Sequence, residues 1–206
     1  MKSSTSDPRR GNPQIHWTSG DAAGVGPCIG LLEHDSVARG IEALDRMVKT
    51  SPVEVVLATY TSPGKWLSLI TGEVEDVLQA LRRGEEETMD SVIDTLFLPN
   101  LHPSVMPAIL GRHHEGEMDA LGVLETFTVA SAIQGADTAA KTSVVDLVDL
   151  RLANALGGKS YFTIAGATAE VRSALGAAAE GAREKNLLVR EVVIPQLHPQ
   201  IHEHLR

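Results

Sequence analysis

Eight histidines are the first candidates for chemistry in this 206-residue chain, and three of them, His198, His202 and His204, crowd its C-terminal end. His198 and His202 stand four apart, a spacing that could hold a metal on one face of a helix. However, His198 has a counterpart in His102, and each is followed by a proline, Pro199 and Pro103. The half of the chain around His102 has no histidine at the matching later positions. A structural His-Pro corner therefore fits better than a metal site, and no metal ligands are assigned. There is no G-x-S-x-G elbow, no P-loop and no H-E-x-x-H. Gly157-Gly158 lacks the surrounding glycines and helix start of a phosphate cradle. The carboxylates are scattered over presumed helix surfaces, so no catalytic residue is assigned and no enzymatic activity is expected. Two loops remain: Ser62-Pro63-Gly64-Lys65 and Leu156-Gly157-Gly158-Lys159. They are ordinary β-turns, or they form a narrow ring around a symmetry axis, where backbone groups and short side chains set a pore and Lys65 and Lys159 stand at its mouth. The residues alone leave both readings open.

The elements that would position these loops are written twice. Ile29-Gly30-Leu31-Leu32-Glu33 returns as Leu121-Gly122-Val123-Leu124-Glu125, and Lys49-Thr50-Ser51 returns as Lys141-Thr142-Ser143, both 92 positions on. Gly64-Lys65 pairs with Gly158-Lys159 at a shift of 94, and Leu101-His102-Pro103 with Leu197-His198-Pro199 at 96. A repeat this long is a duplicated domain rather than a solenoid unit. In the first half, 29–33 reads as a strand, and Val37, Ile41, Leu44 and Val48 form the stripe of an amphipathic helix. Strands at 53–60 and 66–71, a helix at 73–87 and a strand at 92–98 follow. The second half repeats the order: a strand near Leu121, a helix at 128–142, strands at 145–153 and 160–165, a helix at 167–184 and a strand at 187–194. The order β-α-β-β-α-β, twice over, implies an α+β fold of two ferredoxin-like domains, each an antiparallel sheet with both helices on one face. The opposite face must meet water, a pore or another subunit. Domains are expected at 28–111 and 120–206, with a flexible tail at 1–27 and a polar linker, carrying His113 and His114, at 112–119.

Composition narrows the partners. A net charge of −9 and 3% aromatic residues argue against nucleic acid or an anionic membrane surface. No run approaches the length of a membrane span. Cys28 is the only cysteine, which rules out an internal disulfide and suits a reducing cytosol. Each half lies near the small end of stable domains, so support from its twin or from other subunits is expected.

Leu121-Gly122-Val123-Leu124-Glu125-Thr126, Ala136-Asp137 followed by Lys141, Gly157-Gly158-Lys159, and Val193-Ile194-Pro195 before His198 resemble the bacterial microcompartment (BMC) shell domain. The first half carries the same marks, so the resemblance covers roughly 28–206 and is to the tandem-domain, trimer-forming shell proteins. Asn100-Leu101-His102-Pro103-Ser104-Val105 and Leu187-Leu188-Val189 are similar to the propanediol-utilisation type in particular. Each half begins at the Gly-x-x-Glu strand, as in the unpermuted members.

The resemblance implies a homotrimer shaped as a pseudohexagonal disc. Such discs tile with hexameric and pentameric shell proteins into the facets of a compartment in the bacterial cytoplasm. It makes Ser62, Pro63, Gly64, Leu156, Gly157 and Gly158 candidates to line a central pore for small polar metabolites. It places Lys49 and Lys141 at tile edges. Asn100 and Gln196 stand where single-domain members often carry arginine, so edge contacts there are expected to lack that charge. Proteins of the propanediol type carry a cysteine in the first-half pore loop, and three such cysteines bind a [4Fe–4S] cluster. Ser62 occupies that place here, and a hydroxyl is a poor iron ligand, so no cluster is expected. A soluble ligand-binding or regulatory protein of two ferredoxin-like domains and an iron–sulfur electron-transfer shell protein are the alternatives.

Overall fold

The computed structural model describes residues 26, 28–111, 119–202, 204 and 205. Nearly all of the expected tail and linker, His113 and His114 included, lies outside the described residues. The first half comprises β1 (Cys28–His34), α1 (Val37–Thr50), β2 (Glu54–Thr61), β3 (Lys65–Gly72), α2 (Val74–Thr88) and β4 (Val92–Leu98). A short helix α3 (Val105–Ile109) follows. The second half comprises β5 (Ala120–Thr126), α4 (Val129–Thr142), β6 (Asp146–Arg151), β7 (Ser160–Gly166), α5 (Thr168–Glu184) and β8 (Leu188–Ile194), then a short α6 (Pro199–His202).

The two sheets have the same strand order, β2-β3-β1-β4 and β6-β7-β5-β8, and every pairing is antiparallel. This is the α+β arrangement the pattern predicts. Side chains alternate across β1 because strand residues point to opposite faces in turn. Cys28 and Leu32 join Ala43, Met47, Val77, Ala80 and Leu81 beneath the helices α1 and α2. Ile29 and Leu31 face the other way and join a cluster that takes in residues of both halves, including Val129, Ile133 and Ala136 of α4. Gly30 permits the close approach of α2: a Cβ there would stand 2.7 Å from Leu81 Cδ1 and 2.8 Å from Val77 Cγ1. Gly122 plays the same part in the second half, against Ile164 and Val171.

Local chemistry sets the helix ends. Ser36 and Thr128 cap α1 and α4, accepting hydrogen bonds from the backbone N–H groups of Arg39 and Ser131. Glu75 and Asp76 sit in the first turn of α2, where negative charge suits the helix dipole. Two features differ from expectation. β6 stops at Arg151 rather than at 153, because Ala153 and Ala155 adopt φ of +56° and +57°, which ends a strand. The helices α3 and α6 escape periodicity because they span only one turn or so. In α3, Val105, Met106, Ala108 and Ile109 are all buried, and the helix lies against β6 of the second half.

Overfilling the gap under α2 should be costly. Gly30→Val is expected to lose about 1–3 kcal/mol, read as a lower thermal midpoint by circular dichroism. Gly176→Ala, in α5 with open space around it, is expected to gain roughly 0.5–1 kcal/mol.

Candidate functional site: the seam between the halves

Helix α4 lies across β1 and β4 of the first half. Its N-terminal turn would leave backbone N–H groups without partners. Glu33, fully buried on β1, supplies one: Oε2 accepts from Val129 N at 2.8 Å and, more weakly, from Ala130 N at 3.5 Å. Its other oxygen, Oε1, accepts from Lys65 Nζ at 2.8 Å. That ammonium also donates to the carbonyls of Gly158, at 3.0 Å, and Phe127, at 3.3 Å, both in the second half. Burial pushes the Glu33 carboxyl above its ordinary value, against the pull of Lys65 and the two amides.

The rest of the seam is also polar at its corners. Asp94 Oδ2 accepts from Thr128 Oγ1 at 2.6 Å and from Ser131 Oγ at 3.3 Å. Toward the far end of α4, Asp137 Oδ1 accepts from His102 N at 2.7 Å and Oδ2 from Lys141 Nζ at 2.6 Å. Lys141 also donates to the Asn100 carbonyl.

These contacts place the residues singled out by sequence. Ser62, Pro63 and Gly64 form an exposed loop, closed by Gly64 N donating to Thr61 O at 2.8 Å. In the second loop Leu156 is half-buried, Gly157 exposed and Gly158 buried. The two loops are neighbours: a Cβ on Gly158 would stand 3.1 Å from both Pro63 Cδ and Lys65 Cε, and Gly158 has φ of +87°. Lys65 is tied to Glu33 with its side chain only 15% exposed, so it is no free cation at a pore mouth. Lys159 pairs with Glu125 at 2.7 Å and is 41% exposed. Lys141 and Asn100 come together across the seam, whereas Lys49 is exposed, pairing with Asp45 at 2.7 Å, and Gln196 is exposed at φ +54°. The His-Pro corners are structural: the Nδ1 atoms of His102 and His198 accept from Ser104 N and Gln200 N, each at 3.3 Å. Among the described residues no group of three or more His, Cys, Asp or Glu side chains could hold a metal ion.

Sequence reasoning passed over Glu33, Asp94 and Thr128. The duplication held the signal for Glu33, since its twin Glu125 recurs in the same strand motif.

Residues 28–101 and 120–197 each match the BMC domain. The chain belongs to the BMC-domain shell protein family. It is 42% identical over 170 residues to the bacterial microcompartment shell protein PduT of Citrobacter freundii, covering 82% of this chain and 92% of that protein. A crystal structure of a microcompartment protein from Desulfitobacterium hafniense superposes with a TM-score of 0.76 at 43% identity, covering 85% of this chain and 98% of that one. A fused permuted hexameric shell protein from the RMM microcompartment shares the fold, with a TM-score of 0.57 at 20% identity over 76% of this chain and 81% of that one. This BMC-domain protein is thus a tandem shell protein, and its family is structural. No described helix is long and apolar enough to cross a membrane.

Removing one partner of a buried ion pair is far costlier than removing both. Lys65→Met should destabilise the protein by about 3–5 kcal/mol at neutral pH. With the ammonium gone, the folded-state carboxyl value rises further above its unfolded value. The deficit should therefore shrink as pH falls and grow as pH rises through that folded value. Adding Glu33→Gln should restore most of the loss in denaturant titrations.

Proposed function

We propose that three chains close into a pseudohexameric ring that tiles into a microcompartment facet, and that the observation carrying this is a second, incomplete copy of the seam. The main elements of the seam have twins elsewhere in the chain, and those twins lack the partners that the other half supplies within the seam. The helix stripe that is buried in α4, Val129 and Ile133 both at 0% exposure, is open in α1, with Val37 at 37%, Ile41 at 50% and Val48 at 41%. Leu96 and Leu98 of β4 are covered or partly covered, while their twins in β8, Val192 and Ile194, are 43% and 38% exposed. Glu125 and Lys159 repeat the Glu33–Lys65 pair but meet no helix N-terminus. Asp45 and Lys49 repeat Asp137 and Lys141 without the backbone partner that His102 supplies.

One face receives a helix and the other offers one, so the contact is heterologous. Such a contact generates a closed ring when its rotation closes. Seating α1 of one chain on sheet β6-β7-β5-β8 of the next would bring the backbone N–H groups of Val37 and Ala38 to Glu125, as those of Val129 and Ala130 come to Glu33. Six domains from three chains complete the ring. The loops at Ser62–Gly64 and Leu156–Gly158 then alternate around its axis and line a passage for small polar metabolites. Lys49, Lys141, Asn100 and Gln196 serve the edges, where hexameric and pentameric shell proteins adjoin, and the assembly resides in the bacterial cytoplasm.

The role is structural, without catalysis. An iron–sulfur cluster does not fit the first-half loop, which offers a Ser62 hydroxyl where thiolate is needed. Cys28 is fully buried beneath the helices.

Sedimentation of the purified protein should show a three-chain species, and electron microscopy with a hexameric shell partner should show sheets or tubes. Glu125→Ala should weaken the trimer while leaving the thermal midpoint of the chain near wild type. A wild-type protein that stays monomeric at every concentration and never forms sheets would exclude the ring.

A further inference from the structure

The two copies of the seam share geometry but differ in chemistry at one corner. Within the chain, Asp94 stands opposite Glu33 in the β1–β4 ladder and receives the hydroxyls of Thr128 and Ser131, the cap and third residue of α4. In the second sheet the residue opposite Glu125 is Arg190, which is exposed. The matching positions of α1 are Ser36, the cap, and Arg39, the third residue. Seating α1 as α4 is seated would therefore bring two arginines together. Arg39 does not stand alone, however: Nη1 binds Glu42 Oε2 at 2.7 Å and Nη2 binds Asp90 Oδ1. Asp90 and Glu42 are exposed enough, at 67% and 40%, to accept a second cation. The row continues in the same sense: Tyr161 and Arg151 stand across from Glu125 where the first half has Leu67 and Thr59 beside Glu33.

We propose that the seam between chains is fastened by an ionic corner, Arg190 of one chain against the Arg39–Glu42–Asp90 cluster of the next, where the seam within the chain uses neutral hydroxyls on Asp94. This rests on the ring reading above and adds to it a residue-level code for the partner, a second copy of this chain. Two arginines flanking two carboxylates form a compensated network. A related domain offering neutral residues in place of Glu42 and Asp90 would leave Arg190 unmatched, which disfavours mixed rings. The within-chain seam needs no such discrimination because covalent linkage already brings its halves together.

A charge swap tests this in the full-length protein. Asp90→Ala removes a carboxylate at the chain surface, so the fold should persist, with an unchanged circular dichroism spectrum as the check. It leaves Arg39 and Arg190 facing each other with Glu42 as the one remaining carboxylate of the cluster, and trimer dissociation measured by sedimentation should rise roughly tenfold at low salt. The deficit should narrow near 1 M salt, where charges are screened within about 3 Å. Adding Arg190→Asp should restore the trimer, because Arg39 would then meet a carboxylate where Ser131 meets Asp94. If Asp90→Ala leaves trimer dissociation unchanged, or if the added Arg190→Asp weakens the trimer further, the ionic corner is wrong while the ring stands. A wild-type chain that does not associate overturns both.

Discussion

A single carboxylate with no exposed surface decides how the two halves sit. Glu33 points away from its own helices toward the second half, where it accepts from the first amides of α4, and it holds Lys65 of its own half. Leaving a carboxylate buried without partners is expensive. The seam therefore has to bring a helix N-terminus and an ammonium to the same place, and the angle between the halves follows from that demand. The apolar face of α4 then covers Ile29, Leu31 and Leu96, and the two loops come side by side because Lys65 reaches the Gly158 carbonyl. Fold, seam and loop placement share one origin.

In the proposed ring, the same demand makes one chain an unfinished object. Its second half carries Glu125, Lys159 and an open sheet face, and its first half carries an α1 N-terminus capped by Ser36 alone, with no carboxylate on its first amides, and an open apolar stripe. Each unmet group on one side corresponds to a group on the other. The halves agree in the residues that build the seam and part company at its Asp94 and Arg190 corner and in the two loops. Duplication within a chain allows those positions to differ while the common geometry is kept, which a ring of six identical domains does not allow.

Much of this was legible in the residues. Alternating and helical periods fixed all eight strands and the four long helices to within a residue or two at most ends. The paired motifs fixed the family. The short helices were not legible: α3 is a single turn interrupted by Pro107, and α6 is only four residues long, too few for a period to show. Lys65 and Lys159 look alike in sequence, each following a glycine at the end of a loop. Only tertiary packing separates them, since Lys65 has a helix N-terminus and two carbonyls from the other half beside it and Lys159 has open surface. Likewise Glu33 and Glu125 sit in the same motif, and their difference in burial depends on which neighbour is present.

The most direct examination of the repeated seam is a single-particle electron cryomicroscopy reconstruction of the assembled protein, resolved well enough to place side chains. Three chains around one axis, with α1 of each lying on the second sheet of the next and the Val37 and Ala38 amides on the Glu125 carboxylate, is the expected result. An assembly built through other surfaces, with α1 and the Val192–Ile194 face both left in solvent, would contradict it.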